Sequence, residues 1–322
     1  VRALRIAVVG CGAMGSVYAG RLAAAGNAVY VADPWPDHIA AIAAHGLRVE
    51  GPRGDAVVRV ATDRTTIDAP FDLVVIAAKS LDIAAAAQTA HALAGRETVV
   101  LTIQNGLGAA EIVANIIGEQ RLAIGIAGGF GAKLAAPGHV VHNAMQLVRF
   151  GPYGSLPIDR LTAIASAWTA AGFNVEVRAD IARIQWEKLI CNVAFSGPCV
   201  IAGTTVGDVM DDPNLGPISR SAAIEAYDVA RALGIGLGID DPIAHVRAFG
   251  ESVRAAKPST LIDIERGRPS EIDFINGAVA REAERIGVRA PINTTITAFV
   301  KRLEHDRVHR GAHAAEFTTL LS

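Results

Sequence analysis

The chain is short of several things, and each shortage narrows what it can be. Only three of its 322 residues are cysteine (Cys11, Cys191 and Cys199), an odd number with no zinc-ligand pairing. That count excludes a disulfide scaffold and points to reduced thiols in a cytoplasmic protein. Charge is scarce too. A net −2 at pH 7 gives no electrostatic case for a nucleic acid or a membrane surface as partner. No uninterrupted apolar run approaches the ~20 residues that a bilayer span needs. Nothing resembles a signal peptide, because the first apolar run is a strand feeding a glycine turn. Also missing are a Gly-x-Ser-x-Gly elbow, a Walker lysine and a His-Glu-x-x-His pair. His305, His309 and His313 fall four apart, the spacing of helical metal ligands, but Gly311 interrupts them in a polar tail and no metal is expected. What the chain has in quantity is apolar residues, 51% of the total, over a length that accommodates two domains.

The stretch around which the rest is organised is Leu4-Arg5-Ile6-Ala7-Val8-Val9-Gly10-Cys11-Gly12-Ala13-Met14-Gly15. A run rich in β-branched residues ends in Gly-x-Gly-x-x-Gly, and a helical run to Ala25 follows. Each glycine has a use in a dinucleotide site. Gly10 permits the tight turn, Gly12 lets the backbone approach a pyrophosphate, and Gly15 lets the helix pack closely on the sheet. The helix start then offers free N–H groups to phosphates. A second strand, Ala28 to Ala32, ends at Asp33, the place of the acid that usually takes the adenosine ribose hydroxyls. The combined context predicts a nucleotide-binding N-terminus, with Gly10, Cys11, Gly12, Ala13, Met14, Gly15 and Asp33 at the cofactor.

Beyond Asp33, Pro34-Trp35-Pro36-Asp37 forms a turn ahead of a helix through His45. Leu47 to Glu50 and Ala56 to Val60 read as a hairpin. Phe71 to Ala78 is a continuous apolar run, as a strand buried on both faces should be. Helix Leu81 to Leu93, strand Thr98 to Ile103 and the turn Gln104-Asn105-Gly106 follow. This alternation argues for a doubly wound, mostly parallel sheet. From Arg121 to Gly151 the pattern changes to short strands, and a helix (Ile158 to Ala170) and a strand (Phe173 to Val177) close this half. From about Ile181 helical periods dominate: 181–195, 218–233, 242–255, 271–286 and 292–303, with breakers at Gly197-Pro198, Asp212-Pro213, Gly234, Lys257-Pro258 and Ala290-Pro291. The expected architecture is α/β, a Rossmann-type domain over 1–180 followed by an all-helical substrate domain over 181–322. A substrate is expected at the carboxyl ends of the strands, where the second domain would cover the crevice.

Lys188 is the most informative charged residue. Lys188, Asn192 and Ser196 recur every four residues and share one helix face, flanked by Trp186, Leu189, Ile190, Val193 and Phe195. A lysine amid that much apolar surface either snorkels to water or serves a site. Ser259 and the pair Ser270-Glu271 are either helix caps or site residues. Lys79, just past a buried strand, is either placed for cofactor phosphate or ribose or is a surface lysine. Asn105-Gly106 is either a left-handed turn or an amide presented to nicotinamide and substrate.

With these residues in view, the chain resembles the ketopantoate reductase family (2-dehydropantoate 2-reductases) over nearly its whole length. The resemblance is carried by the glycine turn 10–15, Lys79, Gln104-Asn105-Gly106, and Trp186-Glu187-Lys188 to Asn192 taken with Ser259 and Glu271-Ile272-Asp273. It implies an NAD(P)H-dependent reduction of a 2-oxo acid, most simply 2-dehydropantoate to pantoate, and a place in pantothenate synthesis. It further implies that Lys188 is the proton donor, that Asn192 and Ser259 contact the substrate, and that Asn105 touches both cofactor and substrate. Lys79 would touch the cofactor, and Glu271 would line the nicotinamide end. A homodimer is a family expectation as well. Two departures stand out. Family members that prefer the phosphorylated cofactor carry a basic residue where Asp33 stands, and a carboxylate repels a 2′-phosphate, which favours NAD(H) over NADP(H). Ser196 replaces the usual asparagine on the substrate face, and Val206-Gly207-Asp208 replaces an Asn-Gly-Glu-like stretch. Loss of those amides opens an alternative, an NAD-dependent D-2-hydroxyacid dehydrogenase acting on another branched or aromatic 2-oxo acid. A more distant alternative is a sensor that binds dinucleotide without turnover.

Overall fold

A computed structural model of the chain describes residues 2–67, 70–129, 131–144 and 147–320, the side chains of 144 and 307–320 excepted. The chain divides into two compact units, Val1–Gln104 with Gly108–Ile181, and Asn105–Leu107 with Ala182–Ser322.

The first unit runs β1 (Arg5–Val9), α1 (Ala13–Ala24), β2 (Ala28–Ala32), α2 (Pro36–His45), β3 (Leu47–Gly51), β4 (Gly54–Val58), β5 (Leu73–Ile76), α3 (Ile83–Leu93), β6 (Val99–Thr102), α4 (Ala109–Ile117), β7 (Leu122–Gly128), β8 (Gly131–Ala136), β9 (His139–Ala144), β10 (Leu147–Pro152), α5 (Thr162–Ala170) and β11 (Val175–Val177). A seven-stranded sheet is ordered β11-β10-β7-β6-β5-β1-β2. Its strands β2, β1, β5, β6 and β7 are parallel, and β10 turns antiparallel to β7. The central strands Leu-Val-Val-Ile and Val-Val-Leu-Thr are buried at every position, as helix-covered parallel strands must be. Trp168 of α5 sits at the centre of an aromatic cluster, its ring 5.0 Å from Tyr18, 4.9 Å from Phe150 and 4.8 Å from Phe173.

A second sheet, ordered β4-β3-β9-β8, was not legible in the sequence. The hairpin expected over 47–60 is present as β3 and β4, but its outer partner is β9, with Arg48 opposite His139. The short strands read over 121–151 therefore divide between two sheets, since pairing across some 90 residues leaves no local signal.

The second unit, as described, is helical: α6 (Ile181–Ala202), α7 (Val206–Asp211), α8 (Leu215–Ala232), α9 (Pro242–Ser252), α10 (Ser259–Glu265), α11 (Asn276–Arg285) and α12 (Pro291–Leu320). The spacing predicts a break at Gly197-Pro198, yet α6 runs on to Ala202 with Pro198 inside it. Tertiary packing carries the helix past the proline. A Cβ on Gly197 would stand 2.0 Å from Ile296 Cγ2, so the bare glycine admits α12 against the helix. The Asn276 amide donates to the Val193 carbonyl at 3.0 Å and to Asn293 Oδ1 at 2.9 Å. Asn293 in turn donates to the Ala222 carbonyl, and the Glu225 carboxylate accepts the first N–H groups of α12 from Ile292 and Asn293. This buried polar network joins α6, α8, α11 and α12, and being paired at each of these links it fixes the helix that carries Lys188.

Among the described residues no helix is long and apolar enough to cross a membrane. The three cysteines are free and buried, and burial pushes each thiol up to about 12, leaving them unreactive.

Candidate active site

In the first unit the candidate cofactor site is built largely of backbone. Gly10 has φ +88°, and a Cβ on Gly15 would stand 1.9 Å from the Gly10 carbonyl oxygen. The turn and the helix start thus meet at a distance that no side chain allows. Gly12 is the reverse case: a Cβ there would meet nothing within 4 Å, so the space beside it is open. Among the described residues no side chain caps α1, and its first turn carries no acid, which leaves the positive helix end available to an anion. Cys11 donates its N–H to Asp33 Oδ2 at 2.7 Å, and Trp35 donates its N–H to Asp33 Oδ1 at 2.9 Å. Each carboxylate oxygen keeps a lone pair for a ribose hydroxyl. Lys79 is exposed at the end of β5, heading the tight turn Ser80–Asp82. An open glycine cradle, an uncapped helix start and an acid at the second strand end fit a dinucleotide.

Gln104 closes β6 by donating its amide to the carbonyls of Ile76 and Ala78, at 2.8 and 3.1 Å. The next three residues belong to the second unit. Leu107 donates its N–H to the Phe274 carbonyl at 2.9 Å, and Gln185 donates to the Gly106 carbonyl at 2.9 Å. Gly106 has φ +82°, and a Cβ there would stand 1.8 Å from the Phe274 oxygen, so glycine is required. Of the two alternatives left open for Asn105-Gly106, the left-handed turn is the one present. The turn delivers Asn105, whose Oδ1 accepts from Lys188 Nζ at 2.8 Å.

Trp186, Leu189, Ile190 and Val193 are buried around Lys188. Its side chain is half-buried, but the ammonium end is desolvated. Burial pulls its pKa down to about 8, and the neighbouring Glu271 carboxylate partly offsets the fall. Glu271 is itself buried. A lysine poised there can hold a proton at neutral pH and release it to a developing alkoxide.

Neither Lys188 nor Glu271 lines the cavity of about 160 Å³ nearby, which is reached through Asn105, the acceptor of the Lys188 ammonium. Asn105, Asn192, Ser196 and Ser259 line it with amides and hydroxyls, and Phe195, Phe249 and Val253 supply an apolar wall. Ser259 is the first residue of α10 after Pro258 and makes no cap, whereas the Ser270 hydroxyl accepts from the Ile272 N–H at 3.3 Å. Ser259 thus faces the cavity, and Ser270 is used locally. Asp208, which stands where a family amide or acid would be sought, is used instead in a capping box with Thr205. The apolar wall is what sequence reasoning missed. Phe249 and Val253 share a helical spacing of four, but that pattern reads equally as core. The histidine series falls partly outside the described residues, which exclude the side chains of His309 and His313. Among those that are described, no group of His, Cys, Asp or Glu is placed to hold a metal.

A mostly parallel sheet with an open glycine turn and a helical unit holding a half-buried lysine near a polar-lined cavity fit an oxidoreductase of the nicotinamide-dinucleotide class. Family comparison agrees. Residues 6–155 match the model described as Ketopantoate reductase PanE/ApbA, and residues 180–304 match that of its C-terminal domain. The chain belongs to the ketopantoate reductase family. It is 29% identical over 309 residues to the 2-dehydropantoate 2-reductase of Halobacterium salinarum, covering 94% of this chain and 100% of that protein. The 2-dehydropantoate 2-reductase of Mesorhizobium japonicum is 30% identical, with 94% and 99% covered. Among solved structures, a ketopantoate reductase from Ralstonia eutropha superposes with TM-score 0.85 at 30% identity, covering 95% of this chain and 100% of the other. A D-mandelate dehydrogenase, solved as a ternary structure with NADH and anilino(oxo)acetate, gives TM-score 0.86 at 25% identity, with 94% and 99% covered.

Proposed function

We propose that the chain reduces a 2-oxo acid to the 2-hydroxy acid with a reduced nicotinamide dinucleotide, Lys188 donating the proton. The observation that carries this reading is the desolvated Lys188 ammonium, held 2.8 Å from the Asn105 amide beside a small cavity. When bound, the dinucleotide supplies the hydride. Lys188 stabilises the oxygen that gains charge and then protonates it, an interaction stronger in the transition state than in the ground state. Asn105 holds the ammonium in line, and Glu271 keeps more of it protonated. Asn192, Ser196 and Ser259 orient the carboxylate and any polar tail of the acid. Asp33 accepts the adenosine ribose hydroxyls and repels a 2′-phosphate, which supports NAD(H) over NADP(H). Buried, unpaired cysteines suit a reducing compartment, the cytoplasm.

The names of the relatives make 2-dehydropantoate the first substrate. A second reading, an NAD-dependent D-2-hydroxyacid dehydrogenase for a bulkier acid, draws on the phenyl rings of Phe195 and Phe249 in the cavity wall and on Ser196 in place of an amide. Initial rates of NADH and NADPH oxidation, with 2-dehydropantoate set against branched and aromatic 2-oxo acids, separate the two. Highest kcat/KM with 2-dehydropantoate supports the first. Highest kcat/KM with an aromatic acid and NADH supports the second, and no turnover with any 2-oxo acid overturns both.

A further inference from the structure

The Trp35 side chain has no part in the proposed reaction, yet its placement is unusual. It lies in Asp33-Pro34-Trp35-Pro36, between two prolines that restrict the backbone on either side, with Pro36 opening α2. Its N–H is tied to Asp33 Oδ1 at 2.9 Å. Its indole stacks on the His38 ring, centroids 5.3 Å apart and planes within 10°. His38 is fully buried and fixed at both nitrogens. The Gly138 N–H can only donate, and it reaches Nδ1 at 3.0 Å, which assigns the ring proton to Nε2. Nε2–H then donates to Ser16 Oγ at 3.2 Å, and Ser16 Oγ donates to the Cys11 carbonyl at 2.8 Å. The indole therefore rests on a platform pinned to the glycine turn itself.

For all this restraint, 39% of Trp35 stays exposed. A large aromatic held rigid with that much of its surface in water loses hydrophobic stabilisation and gains nothing for the fold on its outer side. Such a surface suits a flat, apolar-faced ligand that arrives later. The neighbouring carboxylate indicates which one. A ribose whose hydroxyls bind Asp33 carries its base on the adjacent ring carbon, so the base must come to rest within a few ångströms of that carboxylate. Trp35, two residues on and hydrogen-bonded to the same carboxylate, is an aromatic surface within that reach.

We propose that Trp35 is the stacking platform for the adenine ring of the dinucleotide, braced from behind by His38. The inference rests on the reading of Asp33 as the ribose acceptor, and it adds an aromatic side chain to a site of backbone N–H groups and that carboxylate. Base stacking on an aromatic side chain is lost on truncation with about a tenfold to hundredfold loss of affinity.

The test uses the full chain and ADP-ribose, which carries the adenosine half without the nicotinamide, read by calorimetry and by tryptophan emission. W35A is expected to raise the dissociation constant for ADP-ribose about tenfold or more, and W35F to restore it to within a few-fold. W35L keeps apolar bulk over His38 without an aromatic face, so it should bind as poorly as W35A. ADP-ribose should quench the emission of the wild type but not that of W35F, where the buried Trp168 and Trp186 remain. Wild-type affinity in W35A or W35L, or full quenching in W35F, overturns the stacking assignment and leaves the cofactor reading standing. Failure of the wild type to bind either ADP-ribose or NADH overturns the cofactor reading itself.

Discussion

The glycine turn of the first unit and the Lys188 cluster of the second are built from different parts of the polypeptide. The turn works through backbone: Gly10 and Gly15 meet where no side chain fits, Gly12 opens onto empty space, and the helix end supplies the N–H groups. The Lys188 cluster works through side chains, an ammonium, an amide and a carboxylate drawn from positions 188, 105 and 271. A backbone site needs a conformation, so it is written as a local pattern of residues that permit it. A side-chain site needs a meeting of chemical groups, and only packing can arrange that.

The largest expected effect falls on the side-chain cluster. Lys188→Ala should lower kcat by about 10²–10⁴ while leaving NADH binding unchanged, measured by steady-state rates and by calorimetry. An unchanged kcat would remove the distinction between the clusters by making Lys188 a structural residue. Next in size is Gly106→Ala, which sets an added Cβ against the Phe274 carbonyl at φ +82°. It should cost roughly 2–4 kcal/mol of stability in denaturant unfolding. Gly12→Ala is its counterpart in the first unit. Because that Cβ meets nothing, Tm should move by no more than about 2 °C while NADH affinity falls about tenfold. A drop in Tm with affinity retained would show that Gly12 serves the fold.

Smaller and more diagnostic is the pH profile. With the Lys188 pKa lowered to about 8, the acid needed for reduction is present below that pH and lost above it. kcat/KM for reduction should therefore fall as pH rises through about 8, and oxidation of the hydroxy acid, which needs the neutral amine, should rise through the same point. Glu271→Gln removes the charge that holds this pKa up, so both limbs should move to lower pH. Identical profiles in the two proteins would separate Glu271 from the lysine. The smallest expected change is one of preference. Asp33→Arg should shift the NADPH to NADH ratio of kcat/KM towards NADPH, and an unmoved ratio would place the ribose elsewhere.

The strand, turn and helix of the N-terminus, the continuous apolar strands and the period-four face of Lys188, Asn192 and Ser196 were all legible in the sequence, because each is a local periodicity or a local steric demand. The family resemblance joined Ser259 and Glu271 to that face, which spacing alone could not do. The course of α6 past Pro198 was misread, since proline propensity is local and the contacts made by Gly197 and Asn276 are not. Phe249 and Val253, the part of the apolar wall beyond Phe195, were missed because a cavity lining and a core stripe share one pattern.

By itself the sequence determined where the backbone can turn, which strands must be buried and which helix face carries the polar groups, since these depend on residues within a few positions of one another. Tertiary structure alone decided the second sheet, the transfer of Asn105–Leu107 to the helical unit and the lowered pKa of Lys188. Each of these depends on groups tens of residues apart in the chain. Pairing, packing and desolvation act through distance in space, and residue order does not encode that distance.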